Sequence, residues 1–433
     1  MERLADLSGG DAASTISRVP NAATGVRRRR LSLGALQSAN YRRYFAGQTV
    51  SVSGTWVQQT AISWLVLRLG GSGTDVGVVV ALQFLPLLVF GPYGGVIVDR
   101  VPRRRLLLLT ASASTVLATA LYFVTAMGRT SLAVLYVFSF VAGLVTVIDN
   151  PARQTFASEL VGSDRLASAI GLNGVLMNTG RVVGPALAGL LIVVSSVPVC
   201  FAVNAASYAA VIVALISIRS NELFLTPPAV REPHALRHGL DYVKGHRDVA
   251  VPLAIMALVG MISLNFPTVL PLLAKGTFHG NAGTFGALSA AMSVGALAGA
   301  LAAGTIRRPT PQVVALASVF FGAITVAAVL APTLVIEYVV MVPVGFATYA
   351  FVTLAMTAVQ IGTEPALRGR VMALWAVAFV GTTPVGGPSI GAVAQAFGPR
   401  VALGVGSLSA ILSGLGALVF LRRTRTRSSI GIP

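Results

Sequence analysis

Only 14 carboxylates and four histidines stand against 32 lysines and arginines. Their placement decides what chemistry this chain can do. Asp99 precedes Arg100 and lies one helical turn before Arg103. Arg181 sits inside an apolar run, where a charge costs about 2.5–3.5 kcal/mol to place in a bilayer. An arginine there binds an anionic or polar partner, pairs with a carboxylate, or serves as a hydrogen-bonding hub between helices. Met177, Asn178, Gly184 and Pro185 share its helical face. Asp75, Asp149 and Glu337 lie at the ends of apolar runs, and His234, His238, His246 and His279 fall between runs. That placement excludes a buried histidine relay. Cys200 is the one cysteine, so an intrachain disulfide and a cysteine metal cluster are excluded. The chain has no G-x-x-x-x-G-K-[ST] and no loop long enough for a nucleotide-binding domain. No nucleophile, base or metal ligands cluster in the sequence. An enzyme is not expected, nor is any cofactor or metal.

The elements that carry these residues are apolar helices. Of 433 residues, 55% are apolar and 11% charged, with a mean hydropathy of +0.80. A soluble domain carries about 25% charged residues. The 45 glycines and 22 prolines also suit membrane helices, whose neighbours re-satisfy a broken backbone. Windows of about 20 residues, the span of a bilayer core, predict twelve helices. They cover 45–67, 76–97, 106–127, 131–149, 169–194, 198–218, 249–273, 284–306, 312–332, 334–360, 370–394 and 399–421.

Charge orients them. Arg68, Arg129, Lys275 and Arg400 fall in alternate loops and Arg181 falls within a span; every other lysine and arginine lies on the side of the N-terminus. The positive-inside rule makes that side cytoplasmic, so the excess of basic residues reads as topology and not as nucleic-acid binding. Both termini are expected in the cytoplasm, with the spans in a bacterial inner membrane. Residues 1–40, including Arg27 to Arg30, read as a disordered tail. Residues 41–218 read as a first six-helix bundle and 219–248 as a cytoplasmic linker. Residues 249–421 read as a second bundle and 422–433 as a basic tail. Within the linker, Leu236, Leu240 and Val243 share one face of an amphipathic interfacial helix. Repeats support two related halves. Gly184-Pro185-x-x-Ala188-Gly189 recurs as Gly387-Pro388-x-x-Gly391-Ala392, and Gly77 and Gly95 recur as Gly286 and Gly304. A parallel repeat of six helices is a known transporter plan.

Two motifs carry a family resemblance. Gly95-Val-Ile-Val-Asp99-Arg100-Val-Pro-Arg103-Arg104 resembles the cytoplasmic loop signature G-x-x-x-D-[RK]-x-G-[RK]-[RK] of the major facilitator superfamily, with Pro102 in place of its glycine. Gly91, Gly95 and Asp99 share a face, and the glycines permit close helix approach. The resemblance implies a conformational latch that holds the outward-facing state, built from Gly95 and Asp99 with Arg100 and Arg103 as the partners of the acid. Gly171, Gly180, Gly184, Pro185, Ala188 and Gly189 resemble the antiporter signature of the superfamily's drug exporters, with one alanine for glycine. Asn40–Gln48, Trp56–Gln59, Asn150–Gln154 and Asn204–Tyr208 narrow the resemblance to bacterial exporters that include enterobactin exporters and macrolide-efflux proteins.

This resemblance implies an all-α membrane protein of twelve helices in two pseudo-symmetric bundles. It implies export of a bulky amphipathic molecule by alternating access; a monomer in contact with membrane lipid and driven by a proton gradient is expected. A flippase or importer of the same fold, or a membrane sensor, are the alternatives. The implied cavity is lined by Trp56, Gln59, Gln83, Asn178, Arg181, Asn265, Tyr349, Trp375 and Phe379. Related drug/proton antiporters carry an acid in the first helix and an arginine in the fourth. Here the first helix offers Gln58 and Gln59, and the predicted fourth, 131–149, has no arginine. Glu337 is left as the proton-coupling candidate.

Overall fold

The computed structural model describes residues 33–224, 235–364 and 367–429. The Arg27–Arg30 run lies outside them, as do the three prolines at 227, 228 and 233 of the linker.

Among the described residues twelve long helices form: α1 (Ala39–Arg68), α2 (Gly73–Arg100), α3 (Arg103–Ala126), α4 (Leu132–Gly162), α5 (Asp164–Val194), α6 (Val197–Ser217), α7 (Arg247–Thr277), α8 (Ala282–Ala303), α9 (Pro311–Leu330), α10 (Leu334–Gly362), α11 (Arg368–Phe397) and α12 (Pro399–Arg423). Eleven of them are long and apolar enough to cross a membrane by length and composition. The exception is α1, whose 30 residues are diluted by Gln48, Ser51, Ser53, Thr55, Gln58, Gln59, Thr60 and Ser63. Those residues face neighbours and not lipid: Gln48, Ser51, Gln58, Thr60 and Ser63 are all buried. Side-chain oxygens start many of the helices. Ser38, Ser72, Ser131, Asn281, Thr310 and Thr333 each accept from a backbone N–H in the first turn.

The junction between α4 and α5 differs from expectation. The predicted loop 150–168 is helical, because α4 continues through Pro151 to Gly162. Gly162 has φ 69°, in the left-handed region that glycine reaches without strain, so one residue turns the chain. Arg153 therefore lies in the fourth helix, and the expectation that this helix lacks an arginine is corrected.

Both ends are also more ordered than composition suggested. Leu33–Gln37 is a short 3-10 turn, with Ala35 fully buried and its N–H donating to Ser168 Oγ at 3.0 Å. The last helix continues to Ser429. The linker helix, Ala235–Gly245, docks onto the second half. Tyr242 donates to the Gly362 carbonyl at 3.3 Å, accepts from the Glu364 N–H at 3.2 Å, and stacks on His246.

Helices α1–α6 pack as one bundle and α7–α12 as another. Between the bundles, α2 packs on α11 and α5 packs on α8. Both crossings are made of the repeated glycines. A Cβ at Gly77 would stand 2.2 Å from the Gly387 carbonyl oxygen, and one at Gly391 would stand 2.2 Å from that of Gly73. At the other crossing, a Cβ at Gly286 would stand 2.6 Å from the Pro185 oxygen and 3.0 Å from Gly189 Cα. Small residues let backbones touch where helices cross in a membrane. The repeats are thus two pseudo-symmetric crossings, each joining one half to the other.

Candidate functional site

The contacts between halves concentrate at one end of the molecule. Besides the glycine crossings, Lys275 Nζ donates to the Leu67 carbonyl at 2.6 Å. Thr74 donates to Gln395 Oε1 at 3.0 Å, and Trp64 stacks on Phe285. This is the end opposite the arginine-rich loops. Below it a cavity of about 520 Å³ runs between the halves, from Ile62 and Val79 down to Asn150 and Arg153.

Seven of the nine predicted cavity residues line it: Trp56, Gln59, Gln83, Arg181, Asn265, Tyr349 and Phe379. Gln59 Nε2 donates to Gln83 Oε1 at 3.0 Å, tying α1 to α2. Asn265 caps a bend in α7 by donating to the Met261 carbonyl at 2.7 Å, where the helix is interrupted before Phe266. Asn178 and Trp375 do not line the cavity. Asn178 turns back to its own helix and donates to the Gly174 carbonyl at 3.0 Å. Trp375 is buried behind Phe379, its ring stacked at 6.3 Å.

The small-residue stripe of α5 divides its work. A Cβ at Gly180 would meet Val52 at 2.6 Å, and one at Gly184 would meet Trp56 Cβ at 2.3 Å. Those two glycines seat α1, and Gly189 seats α8 of the other half. Gly171 lies in the first turns of the same helix, partly exposed. Because α1 sits so close, Trp56 reaches the guanidinium of Arg181, which is 5.0 Å from its ring centroid. Tyr349 of α10 approaches it with its ring centroid at 4.8 Å, and its hydroxyl accepts a hydrogen bond from Arg181 Nη1. Cation–π contacts reach about 2 kcal/mol each when desolvated, enough together to offset most of the insertion cost of the charge. The Nε of Arg181 is buried without a hydrogen-bond partner. Among the described residues no carboxylate comes within ion-pair distance of it.

A second polar group on the cavity wall was not foreseen as a site. Asp149 and Arg153 of α4 pair at 2.5 Å. Thr110 donates to Asp149 Oδ1 at 2.8 Å, and Arg153 Nη1 donates to Gln48 Oε1 at 2.8 Å. Asp149, Asn150 and Arg153 all line the cavity. The four-residue spacing of Asp149 and Arg153 was visible, but the helix that gives it meaning was not. The sequence blocks that carried the resemblance meet here: Gln48 touches Arg153, and Asn204 Nδ2 donates to Gln58 Oε1 at 2.9 Å.

The loop motif is placed differently from expectation. Arg103 pairs with Glu159 of α4 at 3.0 Å, so its ion pair runs to a neighbouring helix and not to Asp99. Arg104 spans to α6, donating to the carbonyls of Leu215 and Ile216 and to Ser220 Oγ. Arg100 is exposed and Asp99 half-buried. The glycine of closest approach is Gly94, where a Cβ would stand 2.2 Å from the Val147 oxygen of α4. Gly91 has no neighbour nearer than Leu87 at 3.9 Å, and Gly95 is half-buried one residue round the helix.

Glu337 is fully buried in the first turn of α10, with no hydrogen bond to either oxygen. Its charged neighbour is Arg400, which donates to the Ala331 carbonyl and covers the Phe278 ring. Glu337 is absent from the cavity wall, because it points into the packing of the second half.

Comparison with known proteins agrees with this architecture. The chain is 24% identical to the staphyloferrin A transporter of Staphylococcus aureus over 256 residues, which are 59% of this chain and 64% of that one. The match thus spans less than two thirds of that relative. It is 23% identical to the enterobactin exporter of Citrobacter koseri over 389 residues, 89% of this chain and 92% of that one. A solved nucleoside transporter superposes with a TM-score of 0.70 at 13% identity, covering 88% of this chain and 98% of the other. The family model described as transmembrane secretion effector matches residues 31–429. The chain belongs to that family of the major facilitator superfamily, and its long apolar helices make it a multi-pass membrane protein.

Proposed function

We propose that the protein is a secondary active exporter of a bulky amphipathic small molecule, working as a single chain in a bacterial cytoplasmic membrane with both termini inside. The cavity carries this reading. It is complete within one chain, large enough for a drug-sized molecule, and lined by Trp56, Phe84, Phe138, Tyr349 and Phe379 together with Gln59, Gln83 and Asn265. It is sealed at the end away from the arginine-rich loops by the two glycine crossings. The positive-inside rule makes that sealed end extracellular, so the cavity loads from the cytoplasm. Relatives named for enterobactin export and staphyloferrin A transport support outward movement of a natural product.

The reverse state needs the glycine crossings to part and the arginine-rich ends to close. On this reading Asp99 and Arg100 of α2, with Gly95 nearby, latch that closure, while Arg103 pairs with Glu159 between α3 and α4. Protons entering down their gradient drive the cycle. Asp149 is our candidate to carry them, because it lines the cavity and Glu337 does not. Everted membrane vesicles test the reading. Energised vesicles holding the protein accumulate one or more members of a panel of fluorescent amphiphiles, and a proton uncoupler abolishes the accumulation. Uptake unaffected by the uncoupler rules out proton exchange. No uptake of any member excludes drug-like amphiphiles as a class and points to a lipid or a single dedicated product.

A further inference from the structure

Among the described residues, the charged ones of the cavity wall are Asp149, Arg153 and Arg181. The first two neutralise each other in a 2.5 Å pair. That leaves the cavity with one uncompensated positive charge, on Arg181. Its guanidinium carbon lies 5.0 Å from the ring centroid of Trp56 and 4.8 Å from that of Tyr349. Its Nε is buried and donates to nothing. A buried charge is ordinarily paired or hydrogen-bonded through all its donors. Among the described residues, the Tyr349 hydroxyl is the one side-chain acceptor of the guanidinium.

The surroundings of the arginine are otherwise built with care. Ser293 of α8 donates to its backbone carbonyl at 3.1 Å, and Gly180 and Gly184 fix the helix that bears it against α1. An arginine's planar fork matches a carboxylate in a two-point geometry that a lysine cannot offer.

We propose that Arg181 is an anion subsite, and that the exported molecule carries a carboxylate or similar planar anionic group beside an aromatic ring. The anion takes the open donors of the guanidinium, and the ring lies along Trp56 and Tyr349. This rests on the exporter reading and narrows its substrate class. It also gives binding a consequence. Arg181 belongs to the first half and Tyr349 to the second, so their hydrogen bond joins the halves across the cavity. An anion that competes for Arg181 loosens that joint. Binding then weakens a contact between halves and biases the cavity toward opening, as a ligand must if it favours one state over another.

The test is equilibrium binding to purified protein in lipid nanodiscs, read by tryptophan quenching against empty nanodiscs. The probes are 3-hydroxy-2-naphthoate and its uncharged amide. Wild type is expected to bind the naphthoate about tenfold or more tighter than the amide, the scale of one charge-assisted contact. Arg181→Gln removes the preference. Arg181→Lys retains part of it, and serves if the glutamine variant does not fold. Tyr349→Phe keeps the ring but removes the competing acceptor, so naphthoate binds more tightly. Equal affinity of wild type for acid and amide overturns the subsite alone. An undiminished preference in both Arg181 variants does the same. No saturable binding of either probe overturns the subsite for a planar aromatic anion, and the vesicle panel decides the exporter reading separately.

Discussion

A leucine at Gly77 or Gly286 leaves the protein folded in the membrane and stops transport. Each glycine faces backbone across the divide between halves, at 2.2 Å from the Gly387 oxygen and 2.6 Å from the Pro185 oxygen for a modest Cβ. Backbone cannot step aside as a flexible side chain can. The halves must separate at that end by about an ångström or more. Overpacking of this kind costs about 1–3 kcal/mol, which shifts a two-state balance by roughly 5- to 150-fold. The closed end is therefore expected to stand open in most molecules. A cysteine at Val80, which lines the cavity on α2, with Cys200 replaced by serine, reports this through faster labelling by an impermeant maleimide from the sealed side. Gly295 and Gly345 provide the contrast. Their Cβ atoms would meet the Val342 and Met292 oxygens at 1.8 Å, where α8 and α10 pack within one half. Leucine there is expected to remove folded protein from the membrane. If Gly77→Leu transports normally, the crossing is not one that has to open and close.

Asp149→Asn is expected to uncouple the protein. The change keeps the side chain's shape and its hydrogen bond from Thr110, but removes the charge that faces Arg153 at 2.5 Å. Breaking a buried pair costs about 3–5 kcal/mol, and water in the cavity lowers that figure. Arg153 keeps Gln48 as its neighbour on α1, and Tyr44 and Tyr208 lie close by. Uncoupler-sensitive accumulation should fall by about tenfold or more, since an intramembrane carboxylate of this kind marks a proton path. Exchange of substrate at equal concentration across the membrane, which needs no proton, should persist. The double variant Asp149→Asn/Arg153→Gln separates coupling from stability: it regains thermal stability lost in the single variant and does not regain coupling. Undiminished accumulation by Asp149→Asn would remove this residue from the proton path.

The spans were legible because lipid demands long apolar runs, and eleven helices met that demand. The first helix was harder, since its polar residues bind Asn204, Gln83 and Arg153 instead of facing lipid. The reading of 150–168 as a loop failed for a local reason. Asn150-Pro151 looks like a helix stop, yet the helix runs through it and Gly162 alone makes the turn. Arg153 thus moved from an apparent positive-inside charge to a cavity residue. The burial of Glu337 away from the cavity was not legible, because sequence shows where an acid sits along a helix but not which way it points. The repeated glycines were visible as repeats. That the repeats touch each other, Gly77 on Gly387 and Gly286 on Gly189, depends on the arrangement of two halves that no spacing records.

In the proposed cycle, transport requires the sealed end to open around the cavity. Thr74 and Gln395 reach across that end, their side chains 3.0 Å apart. Cysteines placed at both positions, with Cys200 replaced by serine, can be joined by a short thiol crosslinker in proteoliposomes. The joined protein is expected to lose transport of any substrate found in the vesicle panel and to recover it when a reducing agent cleaves the link. Full transport through the crosslinked protein would contradict alternating access through this cavity.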